Sequence, residues 1–218
     1  MHRKPCLKYF FSVEGKTEEL YLQWLQQKLN GESSKFSVSF DVKVKDPIGR
    51  VKGLSVPQKI TIYHLCDVES LGEEHQKKFK KLLDQMREAE QLGKQVKYSL
   101  GYCNFSFELW ILLHVTNATR GFSDRSQYLG EINTNFHENF SSMKEFKREE
   151  SLKHLFEKLT LEDILRAIKR AKNITRERET QFCKLEQYKK FQYYKENPSL
   201  SLGEIFEEIL KKIGIKTG

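Results

Sequence analysis

Two rhythms of hydrophobic and polar positions run through the first 115 residues. Leu7 to Val13 is short, aromatic-rich and almost continuously apolar, the pattern of a strand covered on both faces. From Thr17 to Leu29 the apolar residues fall at Leu20, Tyr21, Trp24, Leu25 and Leu29, which predicts an amphipathic helix with Thr17 as its N-cap. Phe36 to Val44 alternates apolar and polar residues and predicts a half-buried strand near a sheet edge. Asp46 to Pro57, with two glycines and two prolines, reads as a loop. Lys59 to Cys66 is a third strand, Gly72 to Leu92 a long polar helix, Gln95 to Leu100 a fourth strand and Asn104 to Val115 an apolar helix. Strand and helix in this alternation predict an α/β fold with a mainly parallel, Rossmann-like sheet of about four strands, flanked by helices.

Past Thr116 the pattern changes. Residues 117–150 carry no convincing strand and predict short helices and loops, and Leu161–Ile174 and Leu200–Ile213 have helical spacing. The expected organisation is an α/β domain over 1–116 with a helical extension over 117–218 packed on it.

Composition narrows the partners. The 218 residues hold 38 Lys+Arg and 30 Asp+Glu, a formal charge of +8, which permits a polyanionic partner. No apolar run is long enough to span a membrane and the basic start lacks a signal-peptide pattern, so a cytoplasmic protein is expected. Cys6, Cys66, Cys103 and Cys183 are scattered singly among apolar neighbours and predict buried free thiols rather than a zinc cage or disulfides. Between Lys144 and Lys195 there are 15 Lys+Arg against 9 Asp+Glu, interleaved with Phe182, Tyr188, Phe191, Tyr193 and Tyr194. Cations beside aromatics suit single-stranded nucleic acid, although interleaved charges also make an ordinary solvated helix face.

Candidate chemistry sits where strands end, because the crevice of a parallel sheet lies at the strands' carboxyl ends. Glu14 follows the first strand; Asp67 and Glu69 follow the third, two apart, so that an extended chain aims both the same way. Three carboxylates of this kind suit Mg²⁺ or Mn²⁺ when the substrate brings phosphate oxygens. Acidic residues there also favour the next helix's dipole, and Glu69-Ser70 suits that role. Gly15-Lys16-Thr17 is not a P-loop, since Phe10 stands where that motif needs glycine; a helix N-terminus with Lys16 beside it still offers a phosphate contact. Asn104 can cap the helix that follows it. Glu108 lies on the same face and needs a partner, such as Lys16, the metal site or a backbone donor, unless it is solvated. His114, at the helix end, is either a packed histidine or a ligand.

Several of these segments together resemble the RloB-like family, proteins built around a Toprim domain. Val13-Glu14-Gly15-Lys16-Thr17-Glu18-Glu19-Leu20-Tyr21 is similar to its Val-Glu-Gly-x-Thr-Glu-Glu opening, and Asp67-Val68-Glu69 stands where the family has Asp-x-Asp. Asn104-Phe105-Ser106-Phe107-Glu108-Leu109-Trp110-Ile111-Leu112-Leu113-His114 resembles its Ser-Asn-Pro-x-Phe-Glu-x-Trp-x-Leu-Leu-His stretch. Ala167–Lys172 and Asn197-Pro198-Ser199 are similar to its later helix and turn. The resemblance implies a Toprim-like sheet and a Mg²⁺-dependent (or Mn²⁺-dependent) nuclease site. Glu14, Asp67 and Glu69 would be both catalytic and metal-binding there, with Lys16, Asn104, Glu108 and His114 on the substrate side. It also implies DNA or RNA as substrate, a bacterial antiphage-defence setting and an ATPase partner encoded nearby; self-association is left open. Two departures, Glu69 for the second aspartate and Cys103 and Phe105 around Asn104, point to the alternative of a non-catalytic nucleic-acid-binding or effector-assembly subunit with a degenerate site.

Overall fold

The computed structural model describes residues 4–55, 57–69, 72–118, 120–122 and 124–217. Four strands lie parallel: β1 (Cys6–Val13), β2 (Ser37–Val44), β3 (Ile60–Asp67) and β4 (Val96–Asn104). A fifth, β7 (Ser199–Leu200), returns from the far end of the chain and pairs antiparallel with β4, giving the order β2-β1-β3-β4-β7. The half-buried alternation of β2 is that of an edge strand, and β2 lies at the edge.

Side chains split between the two faces with the period of two that a pleated strand imposes. Tyr9, Phe11 and Val13 of β1 join Tyr63 and Leu65 of β3 on one face. That layer is completed by α1 (Lys16–Gly31), α4 (Glu108–Leu113), α5 (Gln127–Phe136), α7 (Glu149–Glu157), α8 (Leu161–Thr180) and α9 (Leu202–Ile213). Phe10, Ile62 and Tyr98 face the other way, against α2 (Pro47–Lys52) and α3 (Glu73–Glu90). On that face the neighbours Ser12 and His64 bury a hydrogen bond of 2.7 Å between Oγ and Nδ1. The second half therefore completes one face of the sheet. Gly203 allows this, since a Cβ there would stand 2.7 Å from that of Ala171 and force α8 and α9 apart.

Several local expectations change. Residues 47–52 form α2 rather than loop, because Asp46 accepts from the Gly49 N–H and Pro47 begins the helix, where proline's missing donor costs nothing. The N-cap of α1 is Gly15, so Thr17 lies inside the helix and is buried. The strand β4 continues to Asn104, and α4 starts only at Glu108 with no side-chain cap. Residues 117–218 hold strands as well as helices: β7, and a hairpin of β5 (Leu185–Tyr188) and β6 (Phe191–Tyr194). Cys66 and Cys103 are buried free thiols, but Cys6 is exposed and Cys183 half-buried. Ser70, placed above with Glu69 at the start of the next helix, lies outside the described residues. No helix among the described residues is long and apolar enough to cross a membrane.

Candidate functional site

Glu14 and Asp67 meet at the carboxyl ends of adjacent strands. In parallel register Val13 of β1 stands beside Leu65 of β3, so the two chains emerge together. Glu14 Oε2 accepts the Asp67 backbone N–H at 3.2 Å. Glu69 follows differently from the expectation. Its φ is 64°, in the left-handed region that a residue with a side chain rarely occupies, so residues 67–69 are not extended. The end of β4 holds this turn: the Val68 N–H donates to Cys103 O and the Glu69 N–H to Phe105 O, both at 2.9 Å. The Glu69 carboxylate consequently pairs with His75 of α3, Oε2 to Nδ1 at 2.5 Å. A cavity of about 130 Å³ opens here, lined by Glu14, Asp67, Glu69, His75 and Lys78.

A single guanidinium ties the cluster together. Arg125 Nη2 donates to Asp67 Oδ2 at 2.9 Å; its Nη1 is 3.5 Å from Glu69 Oε1, and Nη2 is 4.0 Å from Glu108 Oε2. Glu108, 1% exposed, has a closer ion pair: Lys147 Nζ lies 2.7 Å from its Oε1. Burial alone would raise the Glu108 carboxyl, but Lys147, Ser106 and Arg125 hold it below the usual range. Glu18, in the first turn of α1, is also buried, and its Oε2 has no hydrogen-bond partner among the described residues. Burial, then the neighbouring Glu108, pushes the Glu18 carboxyl up. Burial, with Glu18 and Glu108 adding repulsion, pushes Asp67 well above the usual carboxylate range. Glu14 keeps solvent contact at the rim, while burial of its carboxyl end pushes it up to about 7.

Glu14, Asp67, Glu69 and Glu108 thus come together, and the other expected site residues are engaged differently. Lys16 is exposed and pairs with Glu19 at 2.9 Å and Glu149 at 3.9 Å, so the partner of Glu108 is Lys147 rather than Lys16. Asn104 is the last residue of β4 and does not cap α4; its Nδ2 donates to Lys195 O at 2.6 Å and Glu196 O at 3.3 Å. His114 is wholly buried. Its Nδ1 contacts Trp110 O at 2.9 Å and must donate there, which leaves Nε2 to accept from Tyr21 Oη at 3.0 Å. Among the aromatics of the basic segment, Phe191, Tyr193 and Tyr194 are buried, and Phe182 is 94% exposed. Sequence reasoning assigned no role to Arg125 or Lys147. Both lie in a stretch without periodicity, where nothing local distinguishes them from surface cations.

For Mg²⁺ or Mn²⁺ the donor chemistry is suitable, since these hard cations take carboxylate oxygens. Among the described residues no three His, Cys, Asp or Glu side chains form a group that could hold a metal ion. Arg125 sits on Asp67 and Glu69, and the turn at Glu69 aims its carboxylate at His75.

The family model of RloB-like proteins matches residues 9–209, from within β1 to within α9. The chain belongs to the RloB-like family. This RloB-like chain accordingly has a Toprim-like α/β fold, with a mixed sheet, flanking helices and a helical C-terminal extension. No curated protein and no solved structure matches it.

Proposed function

We propose that this RloB-like chain is a non-catalytic nucleic-acid-binding or effector-assembly subunit whose acidic strand-end site is closed by an internal cation. The observation that carries this reading is Arg125: its guanidinium stands at 2.9 Å from Asp67 and within 4.0 Å of Glu69 and Glu108. A guanidinium so placed neutralises the carboxylates that a metal would otherwise use. The +8 charge and the basic second half support nucleic acid, DNA or RNA, as the partner. Family membership further supports an antiphage setting and a neighbouring ATPase as partner, and a cytoplasmic location belongs to the same reading.

A second reading, Mg²⁺- or Mn²⁺-dependent phosphodiester cleavage, is favoured by the charge count of the cluster. Glu14, Glu18, Asp67, Glu69 and Glu108 gather around two cationic side chains, Arg125 and Lys147. In that reading Glu14, Asp67 and Glu69 would hold the ion, which would supply stabilisation of negative charge building on phosphate. Incubating DNA and RNA with the protein in Mg²⁺ or Mn²⁺ separates the two. Binding without cleavage, equal in wild type and Asp67→Asn, supports the first; cleavage that Asp67→Asn and Glu14→Gln abolish supports the second.

A further inference from the structure

The basic second half is not uniformly available to a polyanion. In the β5–β6 hairpin the lysines are already committed: Lys189 pairs with Asp84, Lys190 with Glu90, and Lys184 and Lys195 with Glu186. The hairpin is thereby fastened to α3, with Tyr188 Oη donating to Asp84 at 3.1 Å. The face of α8 toward the C-terminal segment is different. A groove of about 370 Å³ lies there, with Leu165, Ile168 and Thr217 among its lining. Arg166, Lys169, Lys172 and Arg176 line it, against one carboxylate, Glu162. Arg166 and Lys172 are held by Glu162, Asp163 and Glu207, whereas Lys169 and Arg176 are exposed and have no ion pair among the described residues.

We propose that this α8 groove is the track for the sugar–phosphate backbone of single-stranded nucleic acid, with Lys169 and Arg176 as its open phosphate contacts. The spacing is the first argument. Steps of three or four residues keep side chains on one helix face, and at about 1.5 Å of rise per residue they set cations roughly 5 Å apart over a run of about 15 Å. A row of that length faces several consecutive phosphates. The lining is the second: Leu165 and the planar guanidinium of Arg176 offer surfaces on which an unstacked base can rest, which a duplex does not present. Charge complementarity is the third, because Glu162, Asp163 and Glu207 answer Arg166 and Lys172 and leave the charges of Lys169 and Arg176 open to a polyanion. The inference rests on the nucleic-acid reading above and locates it on the molecule.

The test is the salt dependence of binding to labelled oligo-dT and oligo-U of roughly 12 nucleotides, within the size such sites cover. Wild type is compared with Lys169→Gln/Arg176→Gln. Both side chains are exposed on a long helix, so an unchanged thermal midpoint establishes that the variant is folded. Each lost single-strand phosphate contact lowers the log–log salt slope by about 0.7, so the double variant is expected to flatten it by about 1.4. A folded variant with the wild-type slope overturns the groove assignment and leaves nucleic-acid binding standing. Wild type that binds neither oligonucleotide overturns both. A poly-glutamate peptide whose binding is lost in the variant, while oligonucleotide binding is kept, reassigns the groove to an acidic protein segment and overturns the proposal.

Discussion

Arg125 donates to Asp67 across 2.9 Å, linking a loop residue before α5 to the end of the third strand. Burial works against the guanidinium's charge, but Asp67, Glu108, Glu69 and Glu18 together hold its pKa above the usual arginine value. The pair is a built-in neutralisation of a site that the rest of the fold makes acidic.

Removing the guanidinium should uncover that acidity. In Arg125→Ala, Asp67 loses its cation beside Glu14, Glu18 and Glu108. Partial exposure of Arg125 limits the stability loss to about 1–2 kcal/mol, below the cost of breaking a fully buried pair. Added Mg²⁺ should leave the wild-type thermal midpoint unchanged and raise that of Arg125→Ala, since a ligand that binds only the folded state stabilises it. Thermal scans with and without Mg²⁺ read this directly. A wild-type midpoint that climbs with Mg²⁺ as steeply as the variant's would show that Arg125 does not close the site.

Lys147 and Glu108 should be strongly coupled. Lys147→Met leaves a carboxylate that is 1% exposed with Arg125 at 4.0 Å as its counter-charge among the described residues, and should cost about 2 kcal/mol or more. Adding Glu108→Gln should recover most of that loss, because a neutral amide needs no counter-charge. A urea-denaturation cycle measures the coupling; additive effects would contradict the ion pair.

Much of this architecture is legible in the sequence, for a physical reason. Continuous apolar runs at 7–13 and 59–66 and helical spacing at 17–29 report burial directly, and burial is what fixes the sheet and its covering layers. Carboxylates placed just past strand ends were legible too, because the fold brings all such ends to one side. What escaped was tertiary. Residues 199–200 add a strand by pairing with β4 from about 100 residues away, and no local pattern encodes that partner. Glu69 breaks the extended geometry its position suggested, through hydrogen bonds from β4 that hold it at φ 64°. Glu18 stands within the family motif, but its burial depends on what packs over α1, which no local pattern encodes.

The two buried histidines should stay neutral through ordinary pH. Burial lowers both His64 and His114 from 6.5 to about 4. A depressed histidine pKa means that the unfolded chain takes up a proton the folded one refuses. Their contribution to stability is therefore complete above pH 6.5 and is lost as pH falls toward 4, by up to roughly 3 kcal/mol each. An NMR titration should find neither ring changing between pH 8 and 5, with His114 protonated on Nδ1. A midpoint near 6.5 for either ring would contradict the packing described around it.

The central claim is that this RloB-like chain engages nucleic acid with its acidic site closed. The most direct measurement follows one labelled single-stranded oligonucleotide with wild-type protein in Mg²⁺ and Mn²⁺, recording affinity at two salt concentrations and strand integrity by gel. The account predicts affinity that falls steeply with salt, intact strands in either metal, and the same result with Glu14→Gln. Metal-dependent cleavage that disappears in Glu14→Gln and Asp67→Asn would contradict it.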